Sequence, residues 1–336
     1  MKTILKIIGV LLLLISLVFL FTTNKRPPVS FYYWKQTYTI NKQQQQLLHT
    51  TKSQKIYVKL FDVVIENNEL TPKPISIIQF IEHPKLNVIP CVYIQNKVFK
   101  VEEAEKLADN VLKLITKIAS KNKLAIHEIQ IDCDWSNSTK DRYFNFLRHL
   151  QKQKKRIEIT NTIRLHQIKY QSKTGVPPVK KGVLMCYNMD DIDQFETHNS
   201  IISLNTLKQY VNSSTDYPIA LDLALPIYQW GLVFRLGKLS VIANGISKHD
   251  LSNSNFSEIK PTIFRANKNC YINETHVCKG DLIRLETSSP QTLIHSVNYL
   301  NESKLSFNQL ILFHISQQYI SPYNGKFIKK INSLIP

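Results

Sequence analysis

Two aspartates, Asp132 and Asp134, close the run Glu128-Ile129-Gln130-Ile131-Asp132-Cys133-Asp134. Alternation along a strand puts both on one face with Gln130, while Ile129, Ile131 and Cys133 take the other. Carboxylates this close raise one another's pKa, which suits one of them to hold and give a proton. The same parity sorts other polar groups onto that face. Glu158, Thr160, Thr162 and Arg164 oppose Ile157, Ile159 and Ile163; Asp222, between Ala220 and Ala224, opposes Leu221, Leu223 and Leu225; Tyr57, Lys59 and Phe61 oppose Ile56, Val58 and Leu60. Together with Tyr187 these are groups that can orient a polar substrate and move a proton, and the same pattern also allows a structural ion-pair network. Position along the strand separates the two. Asp134 and Arg164 end their runs and belong at a rim, whereas Glu158 and Asp222 belong deeper, in a structural role. Tyr32, Tyr33, Trp34, Trp135, Tyr187, Tyr228 and Trp230 fall at or just past run ends, where a ring can stack on the apolar face of a sugar or serve as packing.

Eight β-type runs carry these residues: Val29 to Trp34, Lys55 to Asp62, Asn87 to Ile94, Glu128 to Asp134, Arg156 to Thr162, Gly182 to Asn188, Tyr217 to Leu225 and Gln309 to His314. Helical stretches separate them, the pattern of parallel βαβ units. In Val101 to Ser120, Leu107, Ala108, Val111, Leu112, Ile115 and Ile118 recur at three- and four-residue steps. Phe144, Leu147 and Leu150 repeat the pattern in Asp141 to Gln151, behind a capping-box pattern at Ser138-Thr139-Lys140-Asp141. The reading is an α/β fold, a (β/α)8 TIM barrel over residues 27–336, with functional groups at the C-terminal ends of its strands. The spacing breaks between strands 7 and 8, where about residues 231–305 form an insertion holding β-like pieces at Thr262 to Arg265 and Asp281 to Glu286.

Three short segments in register resemble the family 18 chitinases. Asp132-Cys133-Asp134-Trp135-Ser136 resembles their fourth-strand Asp-x-Asp-x-Glu, Met185-Cys186-Tyr187-Asn188 their sixth-strand Met-x-Tyr-Asp, and Leu225-Pro226-Ile227-Tyr228-Gln229 their Leu-Pro-x-Tyr-Gly turn after the seventh strand. The pattern, including Leu312-Phe313-His314, is also similar to a little-characterised family of bacterial glycosidase-like barrel proteins. The resemblance implies a glycan at the barrel mouth, with Asp132 and Asp134 as catalytic carboxylates and Trp34, Lys59, Trp135, Arg164, Tyr187, Asn188, Tyr228 and Trp230 around the sugar. It departs from the family where chemistry is decided: Ser136 stands in place of the general-acid Glu, and a serine hydroxyl is a poor proton donor at neutral pH. Asn188 likewise replaces a carboxylate. A glycosidase-like enzyme and a silent carbohydrate-binding or envelope-scaffold protein are therefore both open readings.

The N-terminal residues bear on where this happens. Lys2 and Lys6 precede the apolar run Ile7 to Phe21, a secretory signal or signal-anchor that enters the membrane through about residues 4–21. No small-x-small cleavage pattern follows, and residues 1–26 are read as one leader or anchor, with the rest exported. The formal charge of +18 is spread over singly placed lysines without interleaved aromatics, which argues against nucleic-acid binding. Eight glycines in 336 residues leave no phosphate-cradling loop, and the cysteines and histidines lack metal-ligand spacing, so no metal and no cofactor is expected. Cys270 and Cys278 flank a polar loop, and a disulfide between them fits an oxidising compartment.

Overall fold

The computed structural model describes residues 27–66, 71–320 and 323–335. The leader at 1–26 and its membrane segment lie outside the described residues. Eight parallel strands form the core: β1 (Ser30–Tyr33), β2 (Lys55–Val64), β3 (Asn87–Ile94), β4 (Glu128–Asp132), β5 (Glu158–Arg164), β6 (Lys181–Met185), β7 (Ala220–Pro226) and β8 (Phe307–Phe313). Each pairs with the next in sequence, and β1 closes the ring by pairing with both β2 (Phe31 opposite Ile56) and β8 (Phe31 opposite Leu312). This is the closed (β/α)8 TIM barrel expected from the run spacing.

Outward side chains such as Ile129, Ile131, Ile159, Ile163, Leu221, Leu223 and Leu225 pack against the helical layer in one continuous core. The helix Ala104–Lys121 buries Leu107, Ala108, Val111, Leu112, Ile115 and Ile118 against it, each larger side chain contributing about 1.5–3 kcal/mol. That helix starts three residues later than the periodicity suggests, because Glu102 is extended and separates it from the short helix Val98–Val101. The helix Lys140–Gln153 lacks the expected capping box: its Thr139 cap makes no side-chain cap bond, and the Thr139 hydroxyl donates to Asn96 instead.

Inward side chains fill the barrel. Tyr32, Tyr57, Ile89, Cys91, Val183, Met185, Tyr187, Ala224 and Ile311 form a second buried cluster, and the Tyr32 hydroxyl donates to Gln130 at 2.7 Å. The interior is thus packed, as in other barrels of this kind, and a ligand can only lie against its ends.

Between β7 and β8 stands a five-stranded antiparallel sheet in the order Lys238–Asn244, Gln229–Arg235, Leu282–Thr287, Ile263–Ala266, Phe256–Lys260. It has its own core, including Val233, Ala243, Phe264, Ile283 and Leu285. Its first hairpin turns on Leu236 and Gly237, both at positive φ, as a two-residue type I′ turn requires. A small hairpin, Cys270–Ile272 with Thr275–Val277, extends from it. The expected disulfide is absent: both thiols are free, because the register sets Cys270 opposite Val277 rather than Cys278.

Candidate functional site at the barrel mouth

Strand ends decide which inward groups meet solvent. At the C-terminal mouth, β4 runs out at Asp132 and its alternation continues for a few residues more. Asp132 is buried, and its Oδ1 accepts the Thr162 hydroxyl at 2.7 Å. Burial, then the neighbouring Asp134 charge, push the Asp132 carboxyl up to about 6, against the opposing pull of Thr162 and Arg164. Asp134 is half exposed and ion-paired to Arg164 Nε at 3.2 Å, and Arg164 also donates to the Tyr187 carbonyl at 3.4 Å.

Aromatic rings form an unbroken arc beside these charges. Trp34 meets Phe313 at 5.7 Å between centroids, Phe313 stacks on Tyr187 at 4.9 Å and meets Tyr228 at 5.8 Å, and Tyr228 meets Trp230 at 5.2 Å. Tyr187 and Tyr228 are buried, while Trp34, Phe313 and Trp230 are only partly covered. Lys59 lies over the Trp34 ring at 5.5 Å and pairs with Asp62 at 2.8 Å. Exposed Asn188 accepts the Tyr228 hydroxyl through its side-chain oxygen.

The insertion fixes the far end of the arc. Trp230 donates through its indole to Glu286 at 2.8 Å, and Glu286 is held by Arg284 at 2.7 Å. Arg284 is itself buried and donates to the carbonyls of Gln194 and Phe195, so the loop after β6 and the insertion sheet are tied together.

Most of the site residues read from the sequence therefore converge at one mouth: Asp132, Asp134, Trp34, Lys59, Arg164, Tyr187, Asn188, Tyr228 and Trp230. Trp135 does not. It is wholly buried on the outer side of β4, stacked on Tyr143 at 5.2 Å, and donates to the Thr174 carbonyl at 2.9 Å; the Cys133 parity carries on through Trp135 and aims it at the helices. Phe61 also moves. A register shift between Lys59 and Phe61 on β2 turns Phe61 into the outer core and brings Asp62 to the mouth. Asp62 was hidden by that bulge, whereas Tyr93 was accessible to the same parity test on β3. Burial, followed by the charges of Asp134, Asp132 and Asp62, pushes the Tyr93 phenol up to about 12. Phe313 lay within the Leu312-Phe313-His314 segment of the resemblance but was not read as a site residue, and Glu286 had no sequence signal beyond its element.

Ser136, at the position of the family's acid, belongs to a hydroxyl cluster. Its Oγ accepts the Asn96 amide at 3.2 Å and lies 3.0 Å from Ser138 Oγ and 3.2 Å from Thr139 Oγ1. Among the described residues no group of three His, Cys, Asp or Glu side chains is placed to hold a metal ion.

The opposite end holds the deeper acids. Lys181 Nζ lies 3.3 Å from Glu128, 3.6 Å from Asp222 and 3.8 Å from Glu158, and Lys55 lies 3.5 Å from Glu128. Burial pushes the Asp222 carboxyl up to about 6 against the pull of Lys181 and Lys55. Asp222 thus stands buried in an ion-pair network at the floor, away from the mouth, whereas Glu158, expected to lie deep, is exposed at the edge of that network because it opens its strand.

No family model and no curated protein matches the chain. Among solved structures its fold is similar to the spore cortex-lytic enzyme SleL of Bacillus cereus, at 13% identity and a TM-score of 0.51 over 93% of this chain and 75% of that one. It is also similar to a chitinase from Bacteroides thetaiotaomicron, at 10% identity and a TM-score of 0.52 over 91% and 96%. The chain thus shares the (β/α)8 barrel fold of these two structures.

Proposed function

We propose that this is an exported, membrane-anchored protein that binds a glycan across the C-terminal mouth of its barrel. The carrying observation is the ring arc from Trp34 to Trp230 beside Asp132, Asp134 and Arg164. Partly covered rings offer flat apolar faces to sugar C–H groups, and flanking charged groups take the hydroxyls. The fold neighbours, a spore cortex-lytic enzyme and a chitinase, make chitin and cell-wall polysaccharide the first probes. Binding without turnover fits best, because Ser136 is engaged with other neutral polar groups where an acid would be needed. Export rests on the apolar run Ile7 to Phe21.

The test is retention of the full-length protein, in detergent micelles, on insoluble chitin and cell-wall polysaccharide, with reducing ends measured in parallel. Retention without release, weakened about tenfold or more by Trp230→Ala, is the expected result. No retention on any glycan, or retention indifferent to Trp230→Ala, overturns the reading. Protease access to the barrel in intact cells tests export.

A hydrolytic reading is favoured by one observation, the Asp132 carboxyl raised to about 6, a value suited to a general acid. Release of reducing ends that Asp132→Asn abolishes would favour it over binding alone.

A further inference from the structure

Basic residues far apart in the sequence are gathered by the fold onto one end of the barrel, the floor where helices end and strands begin. The helix Ala104–Lys121 leads into exposed Lys121 and Lys123, and the helix Lys140–Gln153 into Lys154, Lys155 and Arg156. The last group and exposed Lys180, just before β6, line a cavity of about 620 Å³ whose one carboxylate is Glu158. Attraction to helix carbonyl ends accounts for a lysine in a last turn, such as Lys121. It does not account for Lys123, Lys155, Arg156 and Lys180, which lie beyond the helices. The mouth carries the opposite sign in its longest loop, with Asp190, Asp191, Asp193 and Glu196 after β6.

A second, independent observation concerns the chain's entry. Pro27 and Pro28 line the central cavity of the floor, beside Lys55 and Glu128. Only Thr22 to Arg26 separate Pro27 from the apolar run that ends at Phe21. Even fully extended, that stretch spans about 20 Å, so a membrane-held run keeps the floor close to the bilayer.

We infer that the floor of the barrel is a docking surface for an anionic phospholipid bilayer, with the groove between Lys154, Lys155, Arg156 and Lys180 facing the headgroups. The inference rests on the proposed membrane anchor and adds an orientation: floor to the lipid, mouth turned away toward the glycan. Each basic side chain near an anionic surface shifts the docked population about fivefold, and salt removes the effect as the Debye length falls to about 3 Å at 1 M.

The experiment places the full-length protein in nanodiscs of phosphatidylcholine alone or mixed with phosphatidylglycerol, and measures the labelling rate of each lysine with an amine-reactive reagent. Lys121, Lys123, Lys154, Lys155 and Lys180 are expected to label several-fold more slowly with phosphatidylglycerol, reversibly in high salt, while Lys248 and Lys268 of the insertion label equally in both. Lys154→Glu with Lys155→Glu is expected to restore fast labelling of Lys180. Equal rates in both lipids, or slowing only at the insertion, overturn the inference. A floor slowed by a DNA duplex but not by phosphatidylglycerol would also overturn it. Protein that fails to remain with any disc overturns the anchor itself, a separate failure visible before labelling begins.

Discussion

The two ends of the barrel use the same ingredients to different effect. Asp132 at the mouth and Asp222 at the floor both face inward, both are buried, and both are pushed up to about 6 chiefly by burial. Asp222 is answered by Lys181 and Lys55, whereas Asp132 has Asp134 as a neighbour and leans on the Thr162 hydroxyl and Arg164. The floor answers its acids, buried Glu128 and Asp222 and exposed Glu158, with Lys181 and Lys55. The mouth leaves Asp134 half exposed beside partly covered rings. The contrast teaches that an inward carboxylate with a raised pKa does not by itself mark a site. What distinguishes the mouth is the run of partly covered rings beside its charges, surfaces a ligand can stack on.

The sharpest way to break this comparison is to disturb each end and read stability and binding separately. Lys181→Met leaves Glu128 and Asp222 buried without their shared cation and is expected to cost about 3–5 kcal/mol in denaturant unfolding, with glycan retention unchanged in the protein that remains folded. Trp135→Ala belongs with it, at about 3–5 kcal/mol from a cavity between barrel and helices; a variant that lost glycan retention while keeping stability would return Trp135 to the site.

Next in size is a pH effect. The Asp132 carboxyl is raised from an ordinary value near 3.9 to about 6, so the native state holds its proton more tightly than the unfolded state. Its contribution is fully present below about pH 4 and is lost as pH rises through about 6, amounting to about 3 kcal/mol. Asp132→Asn should flatten that part of the stability profile, and a profile of unchanged slope would contradict the assigned burial. Smallest in stability is Asp134→Asn, within about 1 kcal/mol because Asp134 is half exposed in its pair with Arg164, yet it should weaken glycan retention.

Much of this architecture is legible in the sequence. Period-two alternation is enforced wherever a strand separates a packed interior from a helical layer, so parity correctly placed Asp132, Asp134, Thr162, Arg164 and Asp222. It failed where that alternation shifts or is set aside. The bulge on β2 reversed Phe61 and Asp62, and Trp135 was read by its nearness to a strand end although its own parity points outward. The insertion was legible only as two β-like pieces, since an antiparallel sheet with short strands and few glycine turns leaves weak punctuation. Clustering of lysines at one end depends on where every helix stops, which no local window contains.

The central claim is that the mouth, and no other surface, meets the glycan. Tryptophan fluorescence tests it directly, because Trp34 and Trp230 lie at the mouth while Trp135 is sealed in the core. Titrating the full-length protein with soluble fragments of a retained polysaccharide should change the emission, and Trp230→Phe with Trp34→Phe should abolish that change while leaving Trp135 emission intact. An emission change that survives loss of both tryptophans, or saturable glycan binding with no change in the unaltered protein, would contradict the account.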